Sequence, residues 1–252
     1  VTRAARAGST FQLRPTWGGR AKAFGLALLY FLVFGLAIGG GLFALYRTGL
    51  LHLEKGHAFA PAEMLLTNGV SAAAAVIAAV LTGLLVREPP ARWGFALKYA
   101  LRDGPIGLGV GLVLLAGLLA AMAAMGGYAF GTLALAPDRI AGWAGLYALI
   151  FVLVAVAEET IFRSFVLVQL SRAISFWPAA ILLALLFGAA HLHNAGENPL
   201  GALSAGLLGL ILAYSFRRTG SLWFALGMHA SWDYGETFVF GVPDSGVSAP
   251  GA

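Results

Sequence analysis

Six ionisable side chains in the second half of this 252-residue chain stand where hydrocarbon is expected. Glu158, Glu159 and Arg163 lie inside an apolar run at about 143–170. His191 ends another, at about 177–193, with His193 two residues further on. His229 and Asp233 lie inside a third, at about 221–240. A charged side chain within a membrane span costs about 2.5–3.5 kcal/mol on insertion scales, so polar atoms gathered there mark a functional site by default. Their spacing adds detail. Glu159 and Arg163 are four apart, share a helical face and can pair. Glu158 lies about 100° around the helix from Glu159, so Glu159 can neutralise Arg163 while Glu158 points into a cavity. His229 and Asp233 also share one face.

Interhelical glue needs one partner per charge, whereas this set carries surplus acid and base, which suits proton transfer. There is no cysteine, no Gly-x-Ser-x-Gly elbow and no His-Glu-x-x-His helix. One Glu and two His have the composition of a hydrolytic zinc site. The same groups can work without metal. The Glu would take a proton from a water held by one His, and the second His and a polar group one turn away would stabilise an oxyanion. Both routes describe water attacking a carbonyl, and the residues alone leave both open.

The elements that must position these groups are membrane helices. Hydrophobic residues make up 60% of the chain, charged residues 11%, and mean hydropathy is +0.84. Soluble domains carry about 25% charged residues, so an ordinary soluble fold is excluded, and disorder with it. The apolar runs fall at about 23–46, 64–86, 105–126, 143–170, 177–193, 200–216 and 221–240. The expectation is an all-α polytopic bundle of about seven spans, an eighth being disfavoured by the short polar tail from Gly241 to Ala252. It forms one membrane domain over 1–252, with a basic segment at 1–22 and the chemistry confined to 143–240. Gly107, Gly109, Gly111 and Gly117 suit close helix approach in lipid. The run at 23–46 is too long for a signal-peptide core.

The net charge of +5 does not read as a nucleic-acid face, because the basic residues sit between apolar runs. Twelve Lys or Arg fall in 1–22, 87–103, 171–176 and 217–220, against Arg47, Lys55 and Arg139 on the other side. The positive-inside rule then puts the N-terminus in the cytoplasm and the C-terminus outside. The Ala/Gly/Leu-heavy, Arg-over-Lys composition suits a bacterial plasma membrane.

Three motifs now carry a resemblance. Glu158-Glu159-Thr160-Ile161-Phe162-Arg163 fits Glu-Glu-x-x-x-Arg, Phe187-Gly188-Ala189-Ala190-His191 fits Phe-x-x-x-His, and His229-Ala230-Ser231-Trp232-Asp233 fits His-x-x-x-Asn/Asp. In that order they resemble the CPBP (CAAX protease and bacteriocin-processing, or Abi) intramembrane endopeptidases, which include the type II CAAX prenyl endopeptidases. The resemblance covers about 143–240. It implies Glu158 as general base with His191, Glu159 and Arg163 as supporting residues, and His229 with residue 233 as the oxyanion site. Asn is frequent at that last position. Ionised Asp cannot donate a hydrogen bond, so Asp233 must be protonated or must act by orienting His229. His193 and Asn194 are read as supporting the site residues or as structural.

The implied activity is cleavage of a membrane-embedded or lipidated peptide in the bilayer. No cofactor is favoured, and zinc is the alternative. The competing readings are a proton-coupled transporter, against which the lack of half-repeats counts, and a catalytically silent immunity or scaffold member. Helix depths measured from the turns at 171–176 and 217–220 place Glu158, His229 and His191 about 20, 14 and 22 Å deep, so for them to meet the short fifth span must tilt, the span boundaries must shift, or one span must be assigned differently.

Overall fold

The computed structural model describes residues 10–52, 60–132, 135–194 and 196–244. Arg3, Arg6 and Lys55 of the charge count and the end of the polar tail lie outside them. The regular structure of the described residues is helical, and they contain no β-strand. In chain order the α-helices are α1 (Trp17–Arg47), α2 (Pro61–Val86), α3 (Ala100–Ala124), α4 (Pro137–Arg163), α5 (Phe165–Ile174), α6 (Phe176–His191), α7 (Pro199–Thr219) and α8 (Trp223–Tyr234). A single π turn, Gly235–Val239, prolongs α8. Proline opens α2, α4 and α7 at the first helical position, where its missing N–H costs nothing. At α7 the Asn198 side chain also accepts from the N–H groups of Leu200 and Gly201.

Among the described residues, five segments are long and apolar enough to cross a membrane: α1, α2, Leu97–Ala124, Pro137–Ile174 and α7. The chain is an integral membrane helical bundle. The fifth and seventh apolar runs are shorter, with 16 residues in α6 and 12 in α8 before its π turn. The first helix starts at Trp17, so Arg20 and Lys22 of the basic segment lie on it.

The fourth run does not form one helix. It breaks at Ser164, whose φ and ψ of −91° and −122° are not helical. A straight helix over 137–174 would be about 57 Å long, well beyond the roughly 30 Å of a hydrocarbon core. The hydroxyl of Ser164 donates to the carbonyl of Trp93 at 3.2 Å, which ties the break to the α2–α3 connection. Beyond it α5 is buried on every side from Phe165 to Ala173, against α1 and α6.

One end of the bundle gathers the basic segments. Arg172 at the end of α5 pairs with Glu88 at 2.8 Å, and its carbonyl accepts from the Arg14 N–H at 2.9 Å. Phe11 packs edge-on against Phe176 of α6 and Phe216 of α7. The Leu222 N–H donates to Gly94, joining the α7–α8 turn to the α2–α3 connection. These contacts put the N-terminal segment, the 87–99 connection, the α5–α6 turn and the α7–α8 turn together.

Glycine seats α8 in the middle. A Cβ at Gly107 would strike the carbonyl oxygen of Phe224, one at Gly111 would strike Ser231 and Met228, and one at Gly227 would strike the Gly104 carbonyl. Backbone cannot yield as a flexible side chain can, so α3 and α8 reach this separation only without those side chains. Gly109 and Gly117, of the same sequence cluster, face open space.

Candidate active site

Helix α8 brings His229 and Asp233 into the centre of the bundle, where both are buried. Helix α4 supplies Glu158 and Glu159 just before the Ser164 break, and α6 ends on His191. The carboxylate of Glu159 is fully buried. Its Oε1 accepts from Arg163 Nη1 at 2.8 Å and from His229 Nδ1 at 2.8 Å. The expected Glu159–Arg163 pair is therefore present, and it also holds a histidine from another helix, which helical spacing could not reveal. Arg163 Nη2 has no hydrogen-bond partner, but the guanidinium lies 3.9 Å above the Phe187 ring, a favourable cation–π contact. A side chain at Gly209 of α7 would collide with it.

With Nδ1 of His229 bonded to Glu159, Nε2 is left for the cavity side. It lies 3.4 Å from Glu158 Oε2 and 3.4 Å from Asp233 Oδ2. Glu158 departs from its neighbour as the 100° offset predicts: its side chain is 30% exposed, against 0% for Glu159. His191 Nδ1 donates to the Phe187 carbonyl at 2.7 Å, so Nε2 carries a free lone pair. Phe187 thus carries two jobs, with its ring under Arg163 and its carbonyl fixing His191.

A cavity of about 210 Å³ joins these groups. Glu158, His191, His229 and Asp233 line it, so the three depths counted along straight helices do not keep them apart. Its other walls are residues that sequence reasoning missed. Ile150, Phe151 and Val154 come from α4, Met64 and Asn68 from α2, and Thr237 and Asp244 from beyond α8. Asn68 was the one faint signal among these, an amide in an otherwise apolar run. Asn194 also lines the cavity, whereas His193 is exposed, its Nδ1 bonded to the Ala190 carbonyl.

A catalytic zinc needs ligand atoms that converge on one point, histidine nitrogens among them. Among the described residues, the one group of three His, Asp or Glu with ligand atoms within 4.8 Å of one another is Asp233, Glu236 and Asp244. Glu158, His191 and His229 do not form such a group. The cluster that does is all carboxylate, without the histidines that hydrolytic zinc sites use, so the residues in this arrangement do not fit a catalytic zinc.

Among protein-family models, one described as type II CAAX prenyl endopeptidase, Rce1-like, matches residues 140–235. No curated protein and no solved structure matches the chain. The matched segment starts in α4 and ends with α8, so it contains the Glu159–Arg163–His229 triad and both histidines, but not the α2 wall of the cavity. On that match, residues 140–235 are similar to the Rce1-like, type II CAAX prenyl endopeptidase family.

Proposed function

We propose that the protein is an intramembrane endopeptidase that hydrolyses a peptide bond in a membrane-associated or lipidated peptide. The observation that carries this reading is the convergence, on one cavity, of a partly exposed carboxylate (Glu158) with two histidines held by their Nδ1 atoms. Each histidine presents Nε2 as its remaining nitrogen.

In the proposed reaction Glu158 and His191 Nε2 hold a water by its two hydrogens. Glu158 takes one proton as the water oxygen attacks the scissile carbonyl carbon. The carbonyl oxygen becomes an oxyanion beside His229 and Asp233. His229, protonated at Nε2, donates to it, and Asp233 donates as the neutral acid. The C–N bond then breaks, and Glu158 returns its proton to the leaving amine. Glu159 and Arg163 act through His229, accepting its Nδ1 proton and fixing its ring plane. No step uses a metal. The basic end of the bundle is placed in the cytoplasm by the positive-inside rule, and a bacterial plasma membrane is the setting the composition suits.

Membrane peptides from cells carrying the wild-type protein and Glu158→Gln, compared by mass spectrometry, test the reading. The expectation is a set of fragments seen only with wild type. If the two profiles coincide, the protein is not a protease. Proton or solute flux through wild-type liposomes, without cleavage, would establish the transporter instead.

A further inference from the structure

Three arginines at the basic end of the bundle are neutralised by carboxylates. Arg172 and Arg92 share Glu88, and Arg102 pairs with Asp103. Arg217 and Arg218, in the last turn of α7, have no carboxylate partner among the described residues. Arg218 is exposed, and Arg217 is half-buried against aromatic rings. Its guanidinium lies 4.4 Å from the centroid of Phe176 and 5.6 Å from that of Trp177, both at the start of α6. Rings take up the flat face of a guanidinium, which leaves the in-plane fork of N–H groups for an acceptor such as phosphate. Trp177 in turn stacks on Tyr214 of α7, with centroids 5.8 Å apart and planes 16° from parallel. Both of these rings are exposed.

From this pair the two helices continue as an apolar strip. Ile181 and Leu185 follow Trp177 at intervals of four on α6, and Ile211 and Leu207 lie three and seven residues before Tyr214 on α7, so each row keeps one helical face. All four side chains are exposed. The helices approach closely: a Cβ at Gly188 would strike the Ala202 carbonyl, and one at Gly206 would come within 3.0 Å of the Ala184 carbonyl. The stacked rings join the two rows at the end that carries the arginines. From Trp177 to Leu185 is about 12 Å along the helix, close to the roughly 15 Å of hydrocarbon in one leaflet.

We infer that the seam between α6 and α7 binds one anionic phospholipid. Its phosphate lies on Arg217 and Arg218, its glycerol at the level of Trp177 and Tyr214, and an acyl chain along Ile181, Leu185, Ile211 and Leu207. Charge selects the occupant. A zwitterionic headgroup carries its own cation beside the phosphate and gains less from two unpaired arginines. Interfacial arginine and aromatic residues also anchor a span at headgroup level, and arginine in a last turn suits the helix dipole. Neither effect chooses between headgroups, whereas a site does. The site needs only the membrane bundle and is independent of the hydrolytic reading.

Trp177 reports on the site through quenching by brominated acyl chains. Two arginines beside an anionic headgroup favour it by about 30-fold. In phosphatidylcholine vesicles with about one lipid in ten brominated, the site then holds brominated phosphatidylglycerol about three-quarters of the time, and brominated phosphatidylcholine about one-tenth. Each protein is compared with its Trp177→Phe counterpart, and the difference isolates the Trp177 signal. Brominated lipid is present in both leaflets, so the orientation of the protein does not enter. The expected result is several-fold stronger quenching of Trp177 by brominated phosphatidylglycerol. Arg217→Gln/Arg218→Gln removes that excess, whereas Lys22→Gln/Arg87→Gln, which takes as much charge from the same end, keeps it. Equal quenching by the two lipids in wild type overturns the inference. So does an excess that survives Arg217→Gln/Arg218→Gln or disappears in Lys22→Gln/Arg87→Gln. Should the first double variant fail to fold, Arg218→Gln alone, at an exposed side chain, must still lower the excess, and an unchanged excess there overturns the inference as well.

Discussion

Removing the Glu159 carboxylate should separate its two tasks, holding Arg163 in the core and holding His229 for catalysis. Arg163 is 2% exposed and Glu159 0%, so Glu159→Ala leaves a guanidinium buried without its counter-charge. Breaking a buried pair in this way costs about 3–5 kcal/mol. For a chain of this size each kcal/mol lowers the melting temperature by about 2–4 °C, so a drop of about 6–20 °C is expected. His229 also loses the acceptor of its Nδ1 proton, and a misplacement of about 1 Å costs about 100-fold in rate. The double variant Glu159→Leu/Arg163→Met distinguishes the two losses. It replaces the pair with apolar groups of similar size, which is often neutral or stabilising, and Met can still lie on the Phe187 ring. Its melting temperature in detergent should recover most of the loss while turnover stays low. Recovery of both together would refute the positioning role, because His229 would then need no acceptor at Glu159. A wild-type melting temperature for Glu159→Ala would refute the burial argument itself.

Gly107→Ala should destabilise the bundle by about 1–3 kcal/mol through backbone overpacking, while Gly109→Ala, facing open space, should leave the melting temperature unchanged. Asp233→Asn should retain cleavage, since an amide can donate where a neutral acid donated, and Asp233→Ala should lose about 100-fold or more in kcat, the scale of one oxyanion donor. Activity should survive dialysis against a strong chelator, with the purified protein's metal content measured alongside. A loss restored by zinc would refute the metal-free steps.

What could be read from the sequence was whatever one helix determines by itself. The Glu159–Arg163 and His229–Asp233 neighbours follow from a spacing of four, and the divergence of Glu158 from Glu159 follows from 100° of rotation. Contacts between helices were not legible. Nothing in the order of residues joins Glu159 to His229, seventy positions later. The break at Ser164 has no glycine or proline to announce it, and Phe165-Val166-Leu167-Val168 beyond it continue as an apolar run. It is specified by tertiary structure, including the bond to Trp93. The glycines show the same limit. Their abundance in α3 announced a close approach, but only the pair on the face toward α8, Gly107 and Gly111, makes it.

The size and walls of the cavity bear on how substrate is chosen. At about 210 Å³ it falls below the roughly 300–1,000 Å³ of pockets that enclose drug-sized ligands. An apolar cavity of about 150 Å³ is enough for benzene. The space therefore suits a scissile peptide group and one side chain, and any lipid on the substrate would have to remain in the bilayer outside. Selection at the reacting bond then falls to the wall facing Glu158. Part of that wall, Ile150, Phe151 and Val154, lies within the matched segment 140–235, but Met64 and Asn68 come from α2, outside it. The proposed hydrolytic groups and part of the specificity surface are thus carried by different stretches of chain. If the protein has the proposed activity, changes in α2 are expected to redirect the choice of peptide while Glu158, His191 and His229 keep the same arrangement.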